Sequence, residues 1–162
     1  MNKKITYLLL ALALPGLIFI FLKIFGKNRF DIPVYYKEGV SIATKECPGD
    51  YRGQYIVPDS VLGLLGKRNN TPCLFVEEAE KNNKEVTRLK QLYGQGELQI
   101  VPLEGIDANR LKRLKNCALF LMEPWKAVLV DKERRIRGYY AFVNLEETDR
   151  LFVEIEILLS NP

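Results

Sequence analysis

Residues 124–159 read PWKAVLVDKERRIRGYYAFVNLEETDRLFVEIEILL, and the fold turns on how this stretch is divided. An apolar run, Ala127 to Val130, closes at Asp131. Four charged residues, Lys132 to Arg135, separate it from a second β-prone run, Ile136 to Ala141, which carries Tyr139 and Tyr140. Two such runs joined by a short polar turn predict a β-hairpin. Asn144 then stands three residues before Glu147, the spacing of an N-cap and its capping-box partner. After it, Leu151, Ile155 and Leu158 recur at i, i+4, i+7, which predicts a helix. The same segment also alternates, with Val153, Ile155 and Ile157 against Glu154 and Glu156, and strand is the competing reading. Acidic residues at its start favour the N-terminus of a helix.

Working backwards, Cys73 to Val76 is a short apolar run suited to a buried central strand. Asn83 to Tyr93 places Val86, Leu89 and Tyr93 on one face of an amphipathic helix that Gly94 ends. Glu97 to Leu103 alternates and reads as a second strand; Asp107 can cap a helix over Ala108 to Leu114. Cys117 to Leu121 is one more apolar run, read as a strand. Strand, helix and strand followed by hairpin and helix is an α/β order, because parallel strands need a helical crossover.

Upstream, Ile5 to Leu22 is an apolar run without charge. As a helix its eighteen residues reach about 27 Å, near the hydrocarbon thickness of a bilayer. A cleaved signal peptide is the competing reading, but apolar sequence continues past Leu14 through Leu22, too far for such a peptide's core. Basic residues stand on both sides (Lys3 and Lys4, then Lys23, Lys27 and Arg29), so charge does not orient the segment. The net charge of +4 belongs mostly to this end: Lys3, Lys4 and Lys23 precede any acidic residue, leaving about +1 on residues 27–162. No polyanion-binding patch is indicated, which argues against nucleic acid as a partner. We divide the chain into an anchor over 1–26, a tether over 27–53 and a domain over 54–162. The tether and domain entrance are punctuated by Pro33, Gly39, Pro48, Gly49, Gly53 and Pro58, with β-like pieces at Val34–Tyr36 and Tyr55–Val57.

Asp131-Lys-Glu-Arg-Arg-Ile-Arg-Gly-Tyr-Tyr140 and Glu146-Glu-Thr-Asp-Arg-Leu-Phe-Val-Glu-Ile-Glu-Ile-Leu-Leu159 resemble the C-terminus of membrane-anchored bacterial Sco-family proteins. The resemblance covers the last ~40 residues and is thin elsewhere. It implies a thioredoxin-like domain, a central mixed β-sheet flanked by helices, behind one N-terminal transmembrane helix. It also implies a place in the bacterial inner membrane, the domain facing the periplasm, and a strand ending at Val57-Pro58-Asp59 that opens the domain. Sco proteins are copper chaperones and thiol oxidoreductases linked to cytochrome oxidase assembly. They keep a CxxxC pair between the first central strand and its helix, with a distant histidine completing the copper site. Here the corresponding segment is Glu77 to Asn83, which holds no cysteine, and the chain contains no histidine. The resemblance therefore carries the family's frame but none of its catalytic or metal-binding residues onto this chain, and no cofactor is expected.

Three cysteines remain, Cys47, Cys73 and Cys117, and no two have CxxC or CxxxC spacing. Cys73 and Cys117 each open an apolar run and read as small buried hydrophobes. A Cys73–Cys117 or Cys47–Cys117 disulfide and a reactive Cys47 are the alternatives. The resemblance further implies a cis-proline before the final hairpin, and Pro124 stands there; an ordinary trans proline competes equally. Glu77/Glu78 and Glu146/Glu147 are adjacent pairs that do not share a helix face, so solvated surface is the expectation over acid–base chemistry. Trp125, Tyr139 and Tyr140 read as packing residues. The expected function is a binding, accessory or assembly component of a membrane respiratory complex, without redox or copper chemistry; the missing redox and copper-binding residues argue against an enzyme and leave that question open. Its rival is a thiol–disulfide oxidoreductase using Cys47, Cys73 or Cys117 in an unfamiliar arrangement.

Overall fold

A computed structural model of the chain describes residue 4 and residues 13–21, 23, 31–44, 47–64, 66, 71–94 and 96–160. The chain divides into two compact units, Met1–Asp31 and Ile32–Pro162. In the first, residues 13–21 are helical. Much of the expected Ile5 to Leu22 span lies outside the described residues, and among those described no helix is long and apolar enough to cross a membrane.

The second unit is mixed α/β. Its elements are β1 (Gly39–Thr44), β2 (Cys47–Arg52), α1 (Asp59–Leu64), β3 (Cys73–Glu77), α2 (Lys84–Tyr93), β4 (Gln99–Leu103), α3 (Ala108–Leu114), β5 (Ala127–Val130), β6 (Ile136–Tyr140) and α4 (Leu145–Ser160). A 3-10 turn, Glu78–Glu80, follows β3, and a π-helix, Lys115–Leu119, follows α3. Four strands form one sheet in the order β4-β3-β5-β6. β3 and β4 run parallel, while β3 with β5 and β5 with β6 run antiparallel. β1 and β2 form a separate antiparallel hairpin.

Alternation along the strands sends side chains to both faces, and both are covered. On one face Leu74, Val76, Ala127, Leu129 and Tyr140 pack with Val86 and Leu89 of α2 and Leu151 and Ile155 of α4. On the other, Cys73, Phe75, Val128, Val130 and Tyr139 pack with Tyr55, Val57, Leu114, Ala118 and Leu119. A sheet buried on both sides reads as continuous apolar runs, which is why Cys73–Val76 of β3 and the whole of β5 are apolar without gaps. The helix caps follow the sequence. The Asn83 side chain accepts from the Glu85 amide, and Asp107 accepts from Asn109 and Arg110. Asn144 accepts from the Glu147 amide at 2.8 Å, and α4 is a helix, not a strand. The Glu147 carboxylate turns to the Ala141 amide instead of closing a capping box on Asn144.

Three expectations need correction. The run from Cys117 is no strand: residues 115–119 are π-helical, and Phe120 takes a left-handed φ of 51°. Tyrosine hydroxyls from distant segments satisfy its carbonyls, Tyr55 on Ala118 and Tyr139 on Leu119, so the apolar residues are buried without a neighbouring strand. The tether assigned to 27–53 contains the β1–β2 hairpin, which pattern reading missed because glycine and proline fall inside its strands. Val57-Pro58-Asp59 ends no strand; Val57 is fully buried, its amide donates to the Arg134 carbonyl, and α1 begins at Asp59.

Candidate functional site

Residues 77–83, the segment compared above with a redox site, begin at the end of the sheet where β3 stops. Glu77, the last residue of β3, pairs with Leu103 of β4, and its amide donates to the Lys126 carbonyl at 2.9 Å. Lys126 in turn donates its amide to Tyr140 at 2.8 Å. These bonds bring the β3 exit, the loop before β5 and the end of β6 to one place.

Charge fills that place. The Glu77 side chain is only 14% exposed, and the Lys115 ammonium, delivered by the π-helix, is bonded to one of its oxygens. Lys126 Nζ lies 3.2 Å from the other oxygen and 2.5 Å from the exposed Glu123 carboxylate. Lys81, at the end of the 3-10 turn, meets Glu104 at 2.6 Å. The hydrogen bond from Lys126 holds the Glu123 carboxyl below its usual range. Glu123 first, then Glu77, holds the Lys126 ammonium above its own. The hydrogen bond to Glu104 does the same for Lys81. A cationic partner stabilises a carboxylate and a carboxylate stabilises an ammonium, so all three groups stay charged across the neutral range.

The surroundings are partly apolar. Met122, 58% exposed, leads into the Glu123–Pro124 peptide bond, which is cis, as the resemblance implies for Pro124. Val143 and Leu145, 73% and 68% exposed, leave the same end of the sheet after β6. Trp125 is half-buried against Tyr139, their ring centroids 6.4 Å apart. Tyr139 and Tyr140 are buried, as expected of packing residues.

Glu77 corrects the expectation of a solvated carboxylate pair: Glu78 is exposed, but Glu77 is enclosed between two lysines. Glu146 is exposed and Glu147 bonds backbone, so the second pair has no shared chemistry either. Lys115 and Lys126 were not singled out in the sequence; nothing local distinguishes them from other lysines, and 38 residues separate Lys115 from Glu77.

The cysteines divide differently from the expectation of two buried hydrophobes. Cys117 is joined to Cys47 in a disulfide, Cα to Cα 5.3 Å, across 70 residues. Cys73 is a fully buried thiol, as expected. It pairs with Val130 at the opposite end of β3 from Glu77, so it does not reach the segment after the strand. Among the described residues, no group of three His, Cys, Asp or Glu side chains is arranged to hold a metal ion. The site offers paired charges and backbone groups, with no thiol in the 77–83 segment to act as nucleophile. Comparisons of the chain with family models, with curated proteins and with solved structures return no match.

Proposed function

We propose that this chain is a membrane-anchored binding protein whose domain has a Sco-like, thioredoxin-like frame with the redox site replaced by paired charges. It acts as an accessory or assembly component of a membrane respiratory complex, held by Ile5 to Leu22 in a bacterial inner membrane with the domain in the periplasm. The observation that carries the reading is Glu77, clasped by Lys115 and Lys126 where a thioredoxin-like redox site would keep its thiols. The frame is supported by the strand order β4-β3-β5-β6, with a parallel β3–β4 pair and an antiparallel final hairpin. The location is supported by the Cys47–Cys117 disulfide, since such bonds persist mainly in oxidising compartments. The membrane and respiratory assignments rest on the apolar run and on the resemblance of the last ~40 residues.

Copper decides between this reading and an intact Sco-type site. Cu(I) favours thiolate and imidazole donors, and the 77–83 segment supplies only carboxylate, amine and amide groups. Anaerobic titration of the detergent-solubilised full chain with Cu(I) is expected to give no one-to-one site. A stoichiometric site with submicromolar affinity, lost on replacing any one cysteine, overturns the reading. Binding itself is tested with photo-cross-linking residues at Met122 and Leu145 in intact membranes. A discrete adduct from both, absent from the exposed Leu92 on α2, is expected.

The second reading, a thiol–disulfide oxidoreductase, is favoured by one observation, the Cys47–Cys117 pair. Insulin-reduction turnover abolished by Cys117→Ser decides for it.

A further inference from the structure

We propose that the Cys47–Cys117 disulfide is a reversible latch. Closed, it holds the β1–β2 hairpin to the turn that carries Lys115. Opened by a dithiol, it releases the hairpin and loosens that turn while the four-stranded sheet stays folded.

The hairpin is a separate unit, with Val40 of β1 packed against the core. Its ladder runs from Gly39 opposite Arg52 to Thr44 opposite Cys47, and it forms a sheet apart from the four-stranded one. Cys47 therefore sits at the tip, where a covalent bond restrains the hairpin most. Its root has a glycine at either side, one opening β1 and one following β2. Gly39 has φ 102° and Gly53, just after β2, has φ 79°. Both values are strained for any residue with a Cβ, and at Gly39 a Cβ would also strike the Tyr51 carbonyl. Small residues that absorb backbone rotation at the ends of an element are the usual form of a hinge. Between hinge and tip, the root is held by the Gly39 amide on Tyr36 and by Tyr51 stacked edge-on to Tyr55, centroids 5.0 Å apart.

The other end of the latch is in the middle of the π-helix. Two residues before Cys117, Lys115 reaches Glu77; its carbonyl accepts from Leu121 at 2.8 Å. One and two residues after Cys117, the Ala118 and Leu119 carbonyls hold Tyr55 and Tyr139. π-helical turns are rare and concentrate at functional positions. This one receives the disulfide and presents a lysine to the β3 exit, so the state of the bond reaches the charged cluster through three residues of one turn, 115–117. Opening is ordinary thiol–disulfide exchange. A dithiol's thiolate attacks one sulfur to give a mixed disulfide, and its second thiol displaces the protein. Cys47 and Cys117 leave as thiols carrying the two electrons and two protons that the dithiol, now a disulfide, has lost. The latch stands on connectivity in the domain and does not depend on the partner proposed above.

Hydrogen exchange read by mass spectrometry on the full-length chain, oxidised and then treated with dithiothreitol, tests this. Exchange over Gly39–Thr44, Cys47–Arg52 and 115–121 is expected to quicken by about tenfold or more, with β3 and β5 changing less than about twofold. Oxidised glutathione is expected to restore the slow rates, and C47S/C117S to show the fast ones permanently. Maleimide on the native reduced chain is expected to label Cys47 and Cys117 and spare Cys73. The latch is overturned if β3 and β5 quicken as much as the hairpin, which would make the bond a staple of the whole fold. It is equally overturned if no segment changes on reduction, or if Cys73 labels with the other two.

Discussion

At one end of the four-stranded sheet Asp131 is sealed from solvent; at the other, Glu77 is 14% exposed between lysines that are each about a quarter exposed. Asp131 accepts from the Arg135 amide at 2.8 Å and from the Arg135 and Arg137 guanidinium groups at 2.7 and 3.2 Å. Arg137 continues to the Ile32 carbonyl at 2.7 Å, which ties the segment entering the domain to β6. Planar guanidinium groups and a backbone amide leave that carboxylate no freedom. Glu77 is met instead by ammonium groups on long stems, one of which also serves the exposed Glu123. Both clusters are ionic, but one is a lock, while in the other the lysines that enclose Glu77 keep access to solvent and can exchange partners. A binding surface needs the second kind, because its charges can be re-paired with a partner at modest cost.

The comparison breaks most readily at Asp131. Asp131→Ala leaves Arg137 buried without its carboxylate, and we expect a loss of about 3–5 kcal/mol in urea unfolding. A loss under about 1 kcal/mol would mean that the sealed end is no lock.

Next in size is an alkaline effect that belongs to the interior and spares the Glu77 end. Burial, first among the causes, raises Tyr55, Tyr139 and Tyr140 above the ordinary phenol range. A group whose folded pKa is raised contributes stability that is complete below the unfolded value and is lost as pH climbs. Thermal unfolding is therefore expected to hold its midpoint through about pH 9 and to fall steadily above about pH 10, where the unfolded chain's phenols ionise. The absorbance of native protein near pH 11 should show these three phenols still protonated; full ionisation before unfolding would contradict the burial.

Glu77→Gln is expected to have the smallest effect on stability, about 1 kcal/mol or less, because Lys115 and Lys126 can turn to water. In the same variant the membrane cross-link from Met122 should weaken. A loss comparable to that of Asp131→Ala would make the Glu77 cluster structural and remove the distinction on which the binding reading rests.

Much of the frame was legible in the chain because its signals are local. The caps at Asn83, Asp107 and Asn144 act within three residues, and the apolar runs of β3 and β5 report burial on both faces whatever the partner elements are. The absence of histidine from the chain and of cysteine from 77–83 was legible too, as a matter of composition.

Tertiary structure alone decided the rest, and in each instance the deciding contact spans a long loop. The run at Cys117 is helical, its carbonyls met by Tyr55, 63 residues from Ala118, and Tyr139, 20 residues from Leu119. Which cysteines joined depended on bringing residues 70 apart to a Cα distance of 5.3 Å. Whether Glu77 was solvated depended on a lysine 38 residues away. Local propensity and period are carried by the neighbouring residues, and a reader of the chain can see them. Pairing across a closed loop is set only when the whole core has assembled, so sequence determined the elements here and the assembled fold determined the site.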